Sequence, residues 1–280
     1  MSIKRLARLA TGHLVKLVGK TGAGKYVLDL IVATAMTNIS SVRHGELVLQ
    51  LATPNWLNRW RAATFSAKEP ETLEWIDTIP EGSVLWDVGA NVGLYSVYAA
   101  KQRKCKVFAF EPSVFNLELL ARNIYLNHVA DSVCIVPIPL TNRTGTEMMH
   151  LSTTDWGGAL STFGNNLGWD GNPLREVFAF RTIGLSMIDC VDSLRLPSPD
   201  FIKMDVDGIE HIILEGGGRI LGNIKGILIE VNDGFKEQAD KVAHYLTIAG
   251  LRLRQKRQSE LVAQSGVDFS TTFNQVWGRG

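Results

Sequence analysis

Two acidic residues flank a glycine turn near the middle of this chain. Asp87 ends a short apolar run, Gly89 and Gly93 follow it, and Glu111 ends the next apolar run, about 20 residues after the turn. Glycine accepts a positive φ and lets a ligand approach the main chain, and the helix start that follows directs free N–H groups at that ligand. A carboxylate at Glu111 can accept hydrogen bonds from both hydroxyls of a ribose. This pattern predicts a site for a nucleoside-containing cofactor.

The spacing of the turn argues against a dinucleotide. The dinucleotide fingerprint is G-x-G-x-x-G, and Asn91 stands where its second glycine would be. Asp87 also suits a ligand with positive charge or several donors better than a pyrophosphate. S-adenosylmethionine carries such groups, so we expect it as the cofactor. An NAD(P)-dependent oxidoreductase is the alternative.

Further acids end two later apolar runs. Asp205 and Glu230 each follow a predicted strand, and Asp207 lies in the turn after the first of these strands. In a parallel sheet these carboxylates would meet Asp87 and Glu111 at one rim, where their mutual repulsion favours a positively charged or donor-rich ligand.

These blocks resemble the FkbM family of S-adenosylmethionine-dependent methyltransferases. The resembling segments are, in chain order, 87–96, 108–112, 202–217 and 227–231. The resemblance implies a class I, Rossmann-like methyltransferase fold, an α/β fold with a mostly parallel, doubly wound sheet and helices on both faces. The residues that it implies for cofactor binding are Asp87, Gly89, Ala90, Asn91, Gly93, Glu111 and Pro112.

Methyl transfer to a hydroxyl requires in-line placement of the acceptor and a group that removes its proton. We expect Asp205 to be nearest to the chemistry, with Asp207 second and His211 as a further proton acceptor. Asp205, Asp207 and Glu230 also carry the oxygen ligands that Mg²⁺ prefers, so a metal is an alternative that we do not expect.

The resemblance implies a small-molecule acceptor with a hydroxyl, on a sugar, a polyketide or another secondary metabolite. N-methylation and a non-catalytic cofactor-binding module are the remaining alternatives.

Composition narrows the class of protein. The chain has 280 residues, 45% of them hydrophobic and 20% charged, which is typical of a globular domain. Its net charge of +1 gives no overall attraction to nucleic acid, and we expect none as a partner. Three widely spaced cysteines form no C-x-x-C pair, so we expect neither disulfides nor zinc, and a cytoplasmic location.

Strand and helix patterns predict two parts of the chain. Residues 1–66 are predicted to form a mostly helical N-terminal extension, with helix over 1–45 and a strand at 47–51, and residues 67–280 to form the methyltransferase domain. Within this domain, 141–186 interrupts the alternation of strands and helices. Its Gly-, Asn- and Trp-rich loop, with Trp156, Phe163 and Trp169, is a candidate cover for the acceptor.

The extension starts with a basic amphipathic pattern. Its first 25 residues carry basic side chains and no acid, at Lys4, Arg5, Arg8, Lys16, Lys20 and Lys25. Such a helix can lie on anionic lipid, but more often its apolar face covers the domain or a partner subunit. We therefore expect homo-oligomerisation through this region and no association with a membrane.

Overall fold

The structure is a computed structural model, which describes residues 3–258 and 269–280, with side chains from residue 10 onward. The helices are α1 (Ile3–Val18), α2 (Gly22–Met36), α3 (Trp56–Ala63), α4 (Phe65–Lys68), α5 (Pro70–Thr78), α6 (Leu94–Arg103), α7 (Val114–Leu126), α8 (Met187–Asp192), α9 (Glu210–Glu215), α10 (Gly218–Asn223) and α11 (Lys236–Ile248). The strands are β1 (Ile39–His44), β2 (Leu47–Ala52), β3 (Val84–Val88), β4 (Lys106–Phe110), β5 (Val133–Val136), β6 (Gly145–Leu151), β7 (Ser161–Phe163), β8 (Phe178–Gly184), β9 (Phe201–Met204), β10 (Gly226–Asn232), β11 (Arg252–Arg257) and β12 (Thr272–Gly278).

A seven-stranded sheet in the order β11-β12-β10-β9-β3-β4-β5 forms the centre of the molecule. The pairs β3–β4, β4–β5, β3–β9 and β9–β10 are parallel, whereas β12 is antiparallel to both of its neighbours. The strand order reverses at β3, which lies between β4 and β9. The predicted α/β fold with a mostly parallel, doubly wound sheet is confirmed, and ligands of such sheets bind at the carboxyl ends of the strands beside this reversal.

Alternate residues of each strand pack on opposite faces of this sheet, as the pleat requires. On β3, Trp86 packs in one core layer with α8 to α11, and Leu85 packs in the other with α5 to α7. Leu49 and Phe65, from the predicted extension, are buried in the same layer as Leu85. The part of the extension after residue 38 therefore packs directly on the sheet domain.

The prediction that the first 45 residues are helical is wrong at its end, where Ile39–His44 forms strand β1. β1 pairs with β2 in an antiparallel hairpin, and Gly45 takes a φ of +56° in the turn between them. The expected strand at 47–51 is present and has its partner within the extension. The polar residues of β1 conceal this strand in the sequence, because its side chains are at most half-buried.

The apolar faces of α1 and α2 do not cover the domain, which corrects one of the two arrangements expected for them. In α2, Gly24 is the residue that is buried, and Tyr26, Leu30 and Ile31 are all more than half exposed. Leu14 and Leu17 of α1 are also exposed. Within the described ranges, no helix is long and apolar enough to cross a membrane.

The interruption at 141–186 forms a separate antiparallel sheet in the order β7-β6-β8. The sequence pattern predicts strands at 147–151 and 177–183, on either side of the glycine-rich loop, and they are confirmed as β6 and β8. The loop between β6 and β7 runs back over the turn that follows β3, where its main chain is held by hydrogen bonds described below.

Candidate active site

Two adjoining cavities lie at the carboxyl ends of β3, β4, β9 and β10. The larger has a volume of about 390 Å³ and the smaller about 60 Å³. The residues that line both are Gly89, Asn91, Ala159, Asp205 and Asp207. The glycine turn after β3 and the acidic turn after β9 therefore form the floor that the two cavities share.

Gly89 is required at this floor by its backbone and by its neighbour. It has a φ of +82°, and a Cβ at this position would lie 1.9 Å from the backbone carbonyl oxygen of Asp205. Asn91 follows with a φ of +52°, which asparagine tolerates better than most residues. The strand ends β3 and β9 can thus approach each other only because residue 89 has no side chain.

Glu111 joins the turn to the next strand. One oxygen of its carboxylate accepts a hydrogen bond from the Asn91 N–H at 2.8 Å, and the other accepts one from the Ser113 N–H at 2.7 Å. Burial raises the pKa of Glu111 to about 7. The side chain lines the smaller cavity beside Pro112 and the apolar Ile138 and Phe163. A carboxylate next to an apolar slot is suited to a nucleoside, whose ribose has hydroxyl donors and whose base is flat and largely apolar.

Asp87 lies beneath the floor and lines neither cavity. It is 1% exposed, and its Oδ2 accepts a hydrogen bond from the Ser96 hydroxyl at 2.5 Å. Its Oδ1 is 3.8 Å from the Lys203 ammonium and has no hydrogen-bond partner among the described residues. Burial raises the pKa of Asp87 although Lys203 opposes this effect. Asp87 therefore links the glycine turn, α6 and β9 from below.

Lys203 has a buried ammonium group that lies between Asp87 of β3 and Asp205, which follows β9. Its Nζ lies 3.4 Å from Oδ2 of Asp205 and 5.2 Å from the centre of the Tyr95 ring. Burial alone would lower its pKa, but Asp205 and Asp87 raise it above the ordinary value. A lysine inside a predicted strand is expected to pair with a nearby acid, and Lys203 does so with Asp205 and Asp87.

A second ion pair, which the sequence analysis missed, forms another wall of the larger cavity. Lys68 at the end of α4 pairs with Glu69 directly before α5. Burial alone would raise the pKa of Glu69, but Lys68 and Lys203 lower it to about 2. No spacing relates these residues to the glycine turn, and they reach the cavity only because α4 and α5 pack against α6.

Arg61 on α3 is a third cation of this cavity that motif reasoning did not find. Its Nη2 donates a hydrogen bond to the Gly157 carbonyl at 2.7 Å, whereas its Nε is buried without a partner in the described parts of the chain. Lys68 and Lys203 both have carboxylates within 4.0 Å, but the described residues give Arg61 none. Arg61 therefore retains donors for an anionic ligand.

Asp207 holds the loop between β6 and β7 over the floor. Its Oδ2 accepts hydrogen bonds from the N–H groups of Leu160 at 2.7 Å and Ser161 at 3.3 Å. Asp207 has a φ of +61°, and burial together with Asp205 raises its pKa to about 6. Two further hydrogen bonds attach this loop, since the side-chain amides of Asn91 and Asn116 both donate to the Gly158 carbonyl, at 2.8 and 3.1 Å.

Glu210 holds the acidic turn itself. Its carboxylate accepts hydrogen bonds from the N–H groups of Val206 and Gly208, both at 3.1 Å, and from the Gln238 amide at 2.5 Å. Burial raises its pKa to about 7. The side chain is 1% exposed, so Glu210 acts on the cavity only through the turn that carries Asp205 and Asp207.

The larger cavity has more acids than bases. Its acids are Glu69, Glu71, Asp205, Asp207 and Glu230, and its bases are Arg61, Lys68 and Lys203. Burial and the surrounding carboxylates, Asp205 first among them, raise the pKa of Glu230 well above its ordinary value. A ligand with positive charge would relieve this repulsion.

The structure brings most of the predicted site residues together. Those that line at least one cavity are Gly89, Ala90, Asn91, Glu111, Pro112, Asp205, Asp207 and Glu230. Gly93 lies at the start of α6, where a Cβ would meet Leu120 at 2.3 Å, so it serves packing at this point. His211 is 6% exposed, packs edge-on against Phe235 and lines neither cavity.

The three aromatic residues predicted to cover an acceptor do not line the larger cavity. Trp156 packs against the layer formed by Ala52 and Val92, and Trp169 packs against Phe269 at 4.4 Å between ring centres. Phe163 lines the smaller cavity. The aromatic residues that do line the larger one are Trp60, Tyr95 and Phe269.

The metal alternative gains no support from the geometry. Among the residues that the structure describes, no group of three or more His, Cys, Asp or Glu side chains is arranged to hold a metal ion. Asp207, one of the three candidates, instead uses an oxygen to accept two backbone hydrogen bonds.

Comparisons with known proteins find methyltransferases among the similar sequences. The family model of the methyltransferase FkbM domain matches residues 87–254. The hexuronic acid methyltransferase AglP of Haloferax volcanii is 27% identical over 176 residues, which are 62% of this chain and 66% of that protein. The methyltransferase sdnD of Sordaria araneosa is 35% identical over 72 residues, which are 25% of this chain and 28% of that protein. The chain thus spans less than two thirds of the length of either relative.

Two of the solved structures to which this chain is similar have a low sequence identity to it. TYW2 of P. horikoshii in complex with MeSAdo is 13% identical, with a TM-score of 0.47 over 85% of this chain and 69% of that chain. Precorrin-6y C5,15-methyltransferase of Geobacter metallireducens is also 13% identical, with a TM-score of 0.43 over 76% of this chain and 87% of that chain.

Proposed function

This chain belongs to the FkbM methyltransferase family, and we propose that it transfers a methyl group from S-adenosylmethionine to a hydroxyl of a small, sugar-like acceptor. The family membership expected from the sequence is confirmed by the match over residues 87–254. The observation that carries the proposal is the junction of two unlike cavities at Gly89 and Asp205: one is narrow with a buried carboxylate, and the other is wide and acidic.

The adenosine part of the cofactor would enter at the smaller cavity, which has to widen from its volume of about 60 Å³ to enclose the base. Glu111 would accept hydrogen bonds from the ribose hydroxyls, and the base would lie against Pro112, Ile138 and Phe163. Ionised Glu111 still has acceptor capacity beyond the two backbone N–H groups that it binds. Its raised pKa is consistent with a carboxylate that gains from a donor-rich ligand.

The methionine part would cross the floor into the larger cavity. The main chain of Gly89, Ala90 and Asn91 lies along this path, and Asp87 supports it from beneath. The surplus of acids suits the sulfonium and the ammonium group of the cofactor. Arg61, the cation without a carboxylate partner, would bind the α-carboxylate. Its Gly157 partner adjoins Gly158, whose carbonyl accepts from Asn91, which puts the guanidinium beside this end of the path.

When bound, the cofactor supplies an electrophilic methyl group, and the chain supplies orientation and a proton acceptor. We assign this second task to Asp205, and its position in the lining of both cavities supports the assignment. Its carboxylate would accept the proton of the acceptor hydroxyl as the hydroxyl oxygen attacks. Lys203 holds that carboxylate in place, and Asp207 and Glu210 fix the turn beneath it. His211 has no part in this scheme because it packs away from both cavities.

The acceptor would lie between Asp205 and the outer wall of the larger cavity. This wall combines the faces of Trp60 and Phe269 with the polar side chains of Gln258 and Asn274. Aromatic faces and amide groups together are suited to a hydroxylated ring. The printed activity of the Haloferax relative, a hexuronic acid methyltransferase, supports a sugar derivative.

Calorimetry separates this function from its main rival. The purified chain is titrated with S-adenosylhomocysteine and, separately, with NAD. We expect binding of the first and none of the second, and the opposite result would reject the proposal. Methyl-labelled cofactor is then supplied with panels of free sugars, uronic acids, polyketides and amines, and the product that retains label identifies the acceptor class. Label confined to amines would reject O-methylation.

A further inference from the structure

The N-terminal hairpin of α1 and α2 leaves an extensive apolar surface uncovered. Its exposed large apolar side chains are Leu14, Val15, Leu17, Val18, Tyr26, Val27, Leu30, Ile31 and Val32. Neither helix packs closely on the sheet domain or on the inserted sheet. Apolar surface gathered on one element in this way marks an interaction site.

The two helices are held in a defined corner, so the surface is presented as a unit. The Thr21 hydroxyl caps α2 by accepting from the Gly24 N–H at 2.9 Å and donates to the Val18 carbonyl at 3.1 Å. A Cβ on Gly24 would lie 1.8 Å from that same carbonyl oxygen. Gly24 therefore permits the close approach that brings the end of α1 beside the start of α2.

The positive charge of the N-terminal segment indicates which kind of partner its exposed apolar side chains would bind. Residues 1–36, which include both helices, carry six Lys and Arg and one acid, the exposed Asp29, while residues 37–280 carry 23 Lys and Arg against 27 Asp and Glu. Two copies that packed these hairpins together would bring a net charge of +10 into one interface, which is unfavourable. A flat anionic surface complements both the positive charge and the apolar side chains.

We propose that this hairpin docks the protein on the surface of a bilayer that contains anionic lipid, with the apolar side chains of α1 and α2 inserted between the headgroups and the lysines above them. This proposal departs from the expectation, drawn from the sequence, that the protein does not associate with a membrane. This proposal concerns the hairpin alone and does not depend on the reaction at the candidate active site.

The test uses the full chain and sedimentation with vesicles. One set of vesicles contains phosphatidylcholine alone, and the other contains phosphatidylcholine with phosphatidylglycerol. We expect the protein to sediment with the anionic vesicles, to remain in the supernatant with neutral ones, and to be partly released by high salt. Failure to sediment with anionic vesicles would overturn the proposal.

Two matched sets of variants assign the binding to the hairpin. The first variant combines Lys16→Gln, Lys20→Gln and Lys25→Gln, and it should lower the partition coefficient for anionic vesicles by more than about tenfold. Its control combines Lys104→Gln, Lys106→Gln and Lys236→Gln. These three lysines are exposed elsewhere on the protein, so the control should leave the partition coefficient unchanged. The second variant combines Leu14→Gln, Leu17→Gln and Ile31→Gln, and it should abolish binding to anionic vesicles. Its control combines Val177→Gln and Ile183→Gln, two exposed apolar residues elsewhere, and should bind as wild type does.

The same variants test whether a second copy of this chain, rather than lipid, covers the apolar side chains of α1 and α2. Their mass in solution is measured by light scattering, and thermal unfolding confirms that they fold. A wild-type dimer that the Leu14, Leu17 and Ile31 changes convert to a monomer, with no binding to anionic vesicles, would overturn the lipid proposal in favour of an interface between copies. A control pair that lost vesicle binding equally would also overturn the assignment to the hairpin.

Discussion

The backbone carbonyl oxygen of Asp205 lies 1.9 Å from the position that a Cβ on Gly89 would take. The end of β3 and the end of β9 therefore touch through backbone alone, and this contact forms the floor of both cavities. The glycine turn after β3 and the acidic turn after β9 are mechanically one unit, so a side chain added to the first would displace the second.

Gly89→Ala should damage both stability and cofactor binding. A non-glycine residue with a φ of +82° is strained, and displacing Asp205 adds to that cost, so we expect a loss of about 3 kcal/mol or more in the free energy of unfolding. Chemical denaturation and calorimetry with S-adenosylhomocysteine measure the two effects. Gly82→Ala is the control, since Gly82 has a φ of +76° with open space around it and should cost only about 1 kcal/mol. Equal losses in the two variants would mean that the Asp205 contact is unimportant.

Glu111→Gln should weaken S-adenosylhomocysteine binding and remove its pH dependence. Burial raises the pKa of Glu111 to about 7, and the ionised form is the better acceptor for ribose hydroxyls. Wild-type affinity should therefore increase as the pH rises through about 7, and the variant should bind about tenfold or more weakly without this increase. Calorimetry across this range is the measurement. Glu118→Gln, which alters an exposed carboxylate paired with Arg122 on α7, is the control and should behave as wild type.

The same raised pKa values predict how stability changes with pH. Burial raises the pKa of Glu210 and Glu111 to about 7, from an ordinary 4.5, so the folded protein without ligand binds more protons than the unfolded chain between these values. The contribution of each group to the free energy of unfolding is complete below about 4.5 and is lost as the pH rises through about 7. Each group should contribute on the order of 1 to 3 kcal/mol. Denaturation curves of wild type and Glu111→Gln across this window should diverge, and parallel curves would contradict the assignment.

The glycine turn and the strand ends could be predicted from the sequence, because each depends on residues that are close together in the chain. Gly89, Glu111 and Asp205 each end or follow an apolar run, and parallel pairing brings such ends to one edge. Arg61 and Glu69 belong to no motif and reach the site through the packing of α3 to α5. His211 illustrates the opposite error, since its position beside an acidic turn suggested chemistry, while the helix face on which it lies is directed at Phe235.

Asp205→Asn should impair turnover far more than cofactor binding. The amide keeps the size of the side chain but cannot accept a proton from the acceptor, so we expect kcat to fall on the order of 100-fold. Affinity for S-adenosylhomocysteine should change by no more than about threefold. Steady-state kinetics with the acceptor found by screening and calorimetry provide the two values. Asp233→Asn, in a residue paired with Lys256 outside both cavities, should retain wild-type kinetics. A wild-type kcat in Asp205→Asn would remove Asp205 from the chemistry.

Arg61→Gln should reduce affinity only for ligands that carry the amino-acid part of the cofactor. The guanidinium lacks a carboxylate within 4.0 Å in the described structure and already donates to Gly157, which fixes its position. We expect the variant to bind S-adenosylhomocysteine at least about tenfold more weakly and 5′-methylthioadenosine, which has no carboxylate, as wild type does. Arg59→Gln on the exposed side of the same helix is the matched control. Equal weakening of both ligands would indicate a structural role, and unchanged binding with a raised KM for an acidic acceptor would assign Arg61 to the acceptor instead.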